Sequence, residues 1–148
     1  MPRLEAGFTG ADASEKLKKL GPTLQVHVGF DPVFDPAVPS TVNLPADPIL
    51  ALIDTGADIA CIDDDLAKKL GLPVVDRATC SGAGGSREAN VYAAQIVLPD
   101  GYVIHGRFAG VKLQAGGQSY QVLLGRSNFV HYTIIYDGPS GSCVMHRD

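Results

Sequence analysis

The sequence predicts an all-β domain, and three observations carry that reading. Apolar residues fall in short runs that stop abruptly at Gly, Pro, Asn or Asp. From Val74 onward one strand-like run follows another across glycine-rich turns. Only two segments carry helix punctuation, and both are short. Many short strands with one or two small helices fit a β-barrel. The 148 residues are a one-domain length, enough to bury a core without disulfides or metals. A composition of 45% hydrophobic and 19% charged residues belongs to a folded chain rather than a disordered one.

Taken in order, residues 1–22 read as an N-terminal arm with a helical turn over Ser14–Leu20, closed by Gly21-Pro22. Residues 23–148 form the main domain. Thr23–Phe30 alternates apolar and polar residues, as a half-buried strand does. Asp31–Pro48 carries Pro32, Pro36, Pro39, Pro45 and Pro48, which excludes a central strand and predicts a long surface loop. Ile49-Leu50-Ala51-Leu52-Ile53 is continuously apolar, a strand buried on both faces that ends at Asp54-Thr55-Gly56. After a second apolar run, Ile59–Ile62, the acidic Asp63-Asp64-Asp65 supplies an N-cap and first turn for the helix Leu66–Leu70, with Gly71 as its stop. Val74–Cys80 and Ala89–Leu98 flank the glycine-rich tip Ser81–Ser86. Pro99-Asp100-Gly101 turns into Tyr102–Phe108. Val122-Leu123-Leu124 ends at Gly125, a brief helix follows around Ser127–Val130, and Tyr132–Tyr136 with Ser142–His146 makes a final hairpin. No internal repeat is present.

Asp-Thr-Gly alone is a weak signal. Here an apolar strand precedes Asp54-Thr55-Gly56, Ala57-Asp58 follows it, and Leu123-Leu124-Gly125-Arg126 comes much later, with the hairpin tip Gly82-Ala83-Gly84-Gly85 between them. In that order, and over Thr23 to the C-terminus, these motifs resemble the retroviral-type aspartic peptidases, the retropepsins. The resemblance implies a closed acid-protease-like barrel with a β-hairpin flap, acting as an aspartic endopeptidase on peptide or protein substrates with no cofactor.

The chemistry of that route needs two carboxyl groups. One takes a proton from water as the water attacks the scissile carbonyl, while the other donates to the carbonyl oxygen. At ~3 Å apart two carboxylates share one proton rather than both ionising. This chain has one Asp-Thr-Gly and no Asp-Ser-Gly, so a homodimer with a two-fold axis beside Asp54 is expected. The resemblance gives Thr55 a hydroxyl bond to the partner's backbone, and Gly56 a backbone close enough for its N–H to reach the carboxylate. It makes Ala57, Asp58, Gly82, Ala83, Gly84 and Gly85 substrate-binding positions, and pairs Asp58 with Arg126 as an ionic brace. Read without the resemblance, those two are unrelated surface charges and Ser81–Ser86 is an ordinary hairpin turn. The final strand Ser142–His146 is the candidate for pairing across the dimer.

Other chemistries find little support. No Gly-Lys-Ser/Thr follows the glycine-rich tip, and its spacing is not that of a dinucleotide fingerprint. His27, His105, His131 and His146 lack ligand spacing, Asp63–Asp65 lacks calcium-loop spacing, and no metal is expected. Gly138–Ser142 falls short of a nucleophile elbow. A net charge of −4 without a basic cluster gives no reason to expect nucleic acid or an anionic membrane. Cys61, Cys80 and Cys143 are odd in number and widely spaced, which favours free thiols in a reducing compartment. With no signal-like apolar run near Met1, a soluble, cytoplasmic protein is expected. The rival function is a non-catalytic peptide-binding or dimerisation module on the same barrel.

Overall fold

A computed structural model describes residues 3–39, 42–82 and 85–147. The chain opens with strand β1 (Arg3–Glu5) and helix α1 (Ala13–Leu20). Ala13 and Leu17, one turn apart, bury on one side of α1, while Glu15 and Lys18 pair in solvent at 3.0 Å. Strand β2 (Thr23–Gly29) alternates as its sequence requires, with Leu24, Val26 and Val28 buried and Gln25 and His27 exposed. In β3 (Ile49–Ile53) no residue is exposed.

The chain continues through β4 (Cys61–Asp63) into α2 (Asp64–Lys69). Asp63 is 2% exposed because both carboxylate oxygens are occupied. One accepts the Leu66 N–H at the helix start, the other the Leu113 N–H. Two long strands, β5 (Val74–Gly82) and β6 (Gly85–Val97), form the central hairpin. Then come β7 (Val103–Val111), β8 (Val122–Leu124), a 3-10 turn at Arg126–Asn128, and the hairpin β9 (Thr133–Asp137) and β10 (Ser142–His146).

One sheet runs β2-β3-β8-β4-β7-β6-β5, and β2 also pairs with β6. The pairing therefore returns on itself as a ring, with β5 attached outside; it is ring-like rather than a regular barrel. Its apolar interior includes Val26, Ile62, Ile96, Phe108 and Leu124, all 0 or 1% exposed. Each such side chain stabilises the fold by about 1.5–3 kcal/mol. The second sheet, β1-β10-β9, closes one end.

Two expectations change. Residues 3–20 do not hang off as a separate arm: β1 pairs with β10, and Leu4, Ala6 and Leu17 join the core. Strand β10 is paired on both sides within its own chain, so the open edges of that sheet are β1 and β9. The proline-rich surface loop is pinned at Asp31. Asp31 donates its N–H to Gln95 Oε1 at 2.7 Å, while its carboxylate accepts from the Val33 and Asn43 N–H groups. Gln95, 1% exposed, also meets His105 Nδ1 at 3.1 Å.

Candidate active site

Strand β8 lies between β3 and β4, parallel to β3 and antiparallel to β4. The chain leaves β3 at Ile53, loops through Asp54–Ala60 over the end of β8, and returns on the other side as β4. That crossing suspends the Asp54 loop from β8 and the turn after it. The Asp54 N–H donates to Leu124 O at 2.9 Å, the Arg126 N–H to Ala57 O at 2.8 Å and the Ser127 N–H to Asp58 O at 3.1 Å. Within the loop, the Ala57 N–H closes a turn on Asp54 O at 3.2 Å.

Asp54 is half-buried at the crest, and its Oδ1 accepts the Gly56 N–H at 2.9 Å. A Cβ on Gly56 would lie 3.1 Å from that same oxygen, so glycine permits the approach. Gly125 is constrained more tightly. A Cβ there would meet Ile59 O at 2.6 Å and Ala57 O at 3.0 Å. These glycines let two backbone segments touch where a side chain would separate them.

Thr55, Gly56 and Asp58 are exposed and Ala57 is half-buried. Gly82 and Gly85 pair with each other at the end of the β5–β6 hairpin; Ala83 and Gly84 lie outside the described residues. The Asp58–Arg126 brace needs correction, because no ion pair joins them. The Arg126 guanidinium instead donates Nη1–H to Thr55 O at 2.6 Å. With the Arg126 N–H committed to Ala57 O, its side chain lies under the crest of the loop, and Asp58 faces solvent. An exposed ion pair contributes about 0–1 kcal/mol, so little is lost by the exchange.

Sequence reasoning missed four neighbours. Tyr120 lies near enough to Asp54 and Cys61 that burial, followed by those two charges, pushes its phenol pKa up. Cys61, Cys80 and Arg87 line a cavity of about 350 Å³ with Val111, between β4 and the hairpin. Burial first, then Cys80, pushes the Cys61 thiol up to about 11; Arg87 opposes that, and Asp54 and Asp58 add to it. No sequence pattern links these residues, because the fold alone brings them together.

Among the described residues, no group of three or more His, Cys, Asp or Glu side chains is placed to hold a metal ion. No helix there is long and apolar enough to cross a membrane.

Comparison with known structures places this geometry. A retropepsin-like aspartic protease from Rickettsia conorii superposes with a TM-score of 0.57 at 16% identity, covering 97% of this chain and 89% of that one. The EIAV protease complexed with the inhibitor HBY-793 matches at 21% identity, over 72% of this chain and 83% of its own, with a TM-score of 0.48. The Simian Foamy Virus (mac) protease matches at 13% identity, over 71% and 88%, with a TM-score of 0.46. No curated protein sequence matches significantly. The Rickettsia likeness establishes the fold as retropepsin-like. The family model for aspartyl proteases matches residues 38–127, more than half of the sequence and all of the Asp54 loop, and the chain belongs to that family.

Proposed function

We propose that this protein is an aspartic endopeptidase, active as a homodimer in which Asp54 and its copy in the second subunit activate one water. The observation that carries the reading is the Asp54 loop: a half-buried carboxylate fixed by the Gly56 N–H on a crest that presents exposed Thr55 and Gly56 outward. A single chain supplies one such carboxylate, and a two-fold axis beside the crest supplies the second.

In the dimer one aspartate is ionised and the other protonated. The ionised one accepts a proton from the water as its oxygen bonds to the scissile carbonyl carbon. The protonated one donates to the carbonyl oxygen, giving a neutral gem-diol. Collapse of the diol breaks the C–N bond as the amine takes a proton from the carboxyl that gained one, and a gem-diol hydroxyl returns one to its partner. The pair ends with one proton, as it began. The Gly56 N–H limits rotation of the carboxyl, so little reorganisation is required during the step.

The β5–β6 hairpin is the natural cover for an extended peptide lying across the loop, acting as a flap whose backbone adds a strand to the substrate. The cavity between Cys61 and Cys80 takes a substrate side chain. Incubation with a mixed peptide library from about pH 4 to 7 tests the reading, since a shared-proton dyad works within that range. Wild type is expected to cleave, and Asp54→Asn to lose at least about 10²–10⁴-fold of that activity. Equal cleavage by both proteins would rule out Asp54 as the catalytic group. No cleavage by a confirmed dimer would favour a peptide-binding module.

A further inference from the structure

Two of the three cysteines line one cavity, and the Asp54 carboxylate is near enough to Cys61 to act on its thiol. Cys61 opens β4, just after the Asp54 loop, and Cys80 lies in β5, opposite Arg87 in the hairpin ladder. Strands β4 and β5 are not neighbours; β7 and β6 lie between them in the sheet. The two cysteines nonetheless line one cavity, together with Ser81, Gly85 and Ser86 of the hairpin and Val111 of β7. The Arg87 guanidinium, in the same lining, donates to Gly110 O on β7 at 3.4 Å. Both thiols are half-buried and each is free, whereas Cys143 is fully buried in the core.

We propose that Cys61 and Cys80 are a reversible redox pair: a peroxide-class oxidant joins them in a disulfide that ties the hairpin to β4 and closes the substrate cavity, and a thiol reductant reopens it. As a control on proteolysis, this rests on the peptidase reading above. The Cys80 sulfur attacks one peroxide oxygen, the O–O bond breaks, and a sulfenic acid and one water form. The Cys61 sulfur then displaces the sulfenic oxygen, which leaves as a second water, and the S–S bond forms. The two thiol hydrogens end in those waters, the two sulfurs are oxidised and the peroxide oxygens are reduced. A disulfide needs Cβ atoms about 3.5–4.5 Å apart, so bridging holds the hairpin down on the cavity. Because burial keeps the Cys61 thiol protonated, the second step quickens as pH rises toward the alkaline range.

The test treats the full-length protein with hydrogen peroxide and maps its peptides without reduction, alongside cleavage assays before and after dithiothreitol. The expected result is a Cys61–Cys80 cross-linked peptide within one chain, Cys143 still a thiol, and cleavage that falls at least tenfold and returns on reduction. Cys80→Ser, compared with its own untreated activity, is expected to be insensitive to peroxide. If reduced protein cleaves but no Cys61–Cys80 peptide forms, or the link joins two chains, the redox pair is overturned and the peptidase reading stands. A Cys61–Cys80 peptide in a protein that cleaves nothing in either state overturns its role as a control and counts against the peptidase reading, while the thiol pairing survives.

Discussion

The Asp54 loop and the β5–β6 hairpin are held in opposite ways. The loop is short and tied at Asp54, Thr55, Ala57 and Asp58 to β8 and the turn after it, through Leu124 O, Ala57 O, Asp58 O and the Arg126 guanidinium. On the tip side of the Ala78–Ala89 pair the hairpin bonds mainly to itself. Ser81 and Ser86 hydroxyls meet at 3.2 Å, Arg77 reaches Glu88 at 3.5 Å, and the residues between Gly85 and Glu88 are exposed. Its root is anchored instead: Tyr92, 1% exposed, donates its hydroxyl to Asp64 Oδ1 on α2 at 2.6 Å. The contrast is between a loop fixed by backbone bonds to its neighbours and a hairpin whose described outer residues bond mainly to one another. Few buried contacts and many exposed hydrogen bonds make the second the lower-stability element.

The largest break in this contrast comes from Gly125→Ala. The added carbon has backbone oxygens at 2.6 and 3.0 Å and no flexible side chain to displace, so the loop itself must shift. A loss near the top of the ~1–3 kcal/mol range for overpacking is expected in urea titration, together with lost cleavage. Unchanged stability would mean the loop is not pressed onto β8.

Tyr92→Phe sharpens the other side, by removing the anchor at the hairpin root. About 1–2 kcal/mol is expected at neutral pH. Burial alone would raise the Asp64 carboxyl, but the Tyr92 hydroxyl and Lys68 outweigh it and hold the pKa below the usual carboxylate range. A folded-state pKa below the unfolded one stabilises at neutral pH, and that contribution is lost as pH falls through the folded value. The gap between wild type and Tyr92→Phe should therefore narrow toward about pH 3, where carboxyls protonate. A gap independent of pH would contradict the assigned partner.

A smaller effect belongs to Arg126→Ala, and the smallest to Asp58→Asn. The Arg126 guanidinium bond to Thr55 O is exposed, so roughly 0.5–1 kcal/mol of stability is expected to go. Cleavage should fall more than stability does, since the crest carries Asp54. Asp58→Asn should leave stability within about 0.5 kcal/mol, because no ion pair with Arg126 is broken.

How much of this was legible in the sequence follows the range of the interactions. The Asp54 loop, the capped helix after Asp63 and the closing hairpin are written in contiguous residues, through apolar runs, caps and turn glycines. The family resemblance puts Arg126 near the loop, but its partner depends on side-chain direction and is Thr55 O. Strand β1 has only the three residues Arg3-Leu4-Glu5, too few to show a period, and it is a strand because β10 offers an edge. The Gln95 clamp on Asp31 spans 64 positions and is set by tertiary packing. The grouping of Cys61 with Cys80 and Arg87 in one cavity, and of Cys61 and Tyr120 near Asp54, is likewise set by tertiary packing.

The central claim, one dyad from two chains, is tested most directly by subunit mixing. Wild type and Asp54→Asn are equilibrated at fixed total concentration in varying ratio, and cleavage is followed with a peptide found in the library. If only dimers with two intact Asp54 residues work, activity follows the square of the wild-type fraction and an equal mixture retains about one quarter. Activity proportional to the wild-type fraction, with about one half retained, would show that each chain works alone and would contradict the shared dyad.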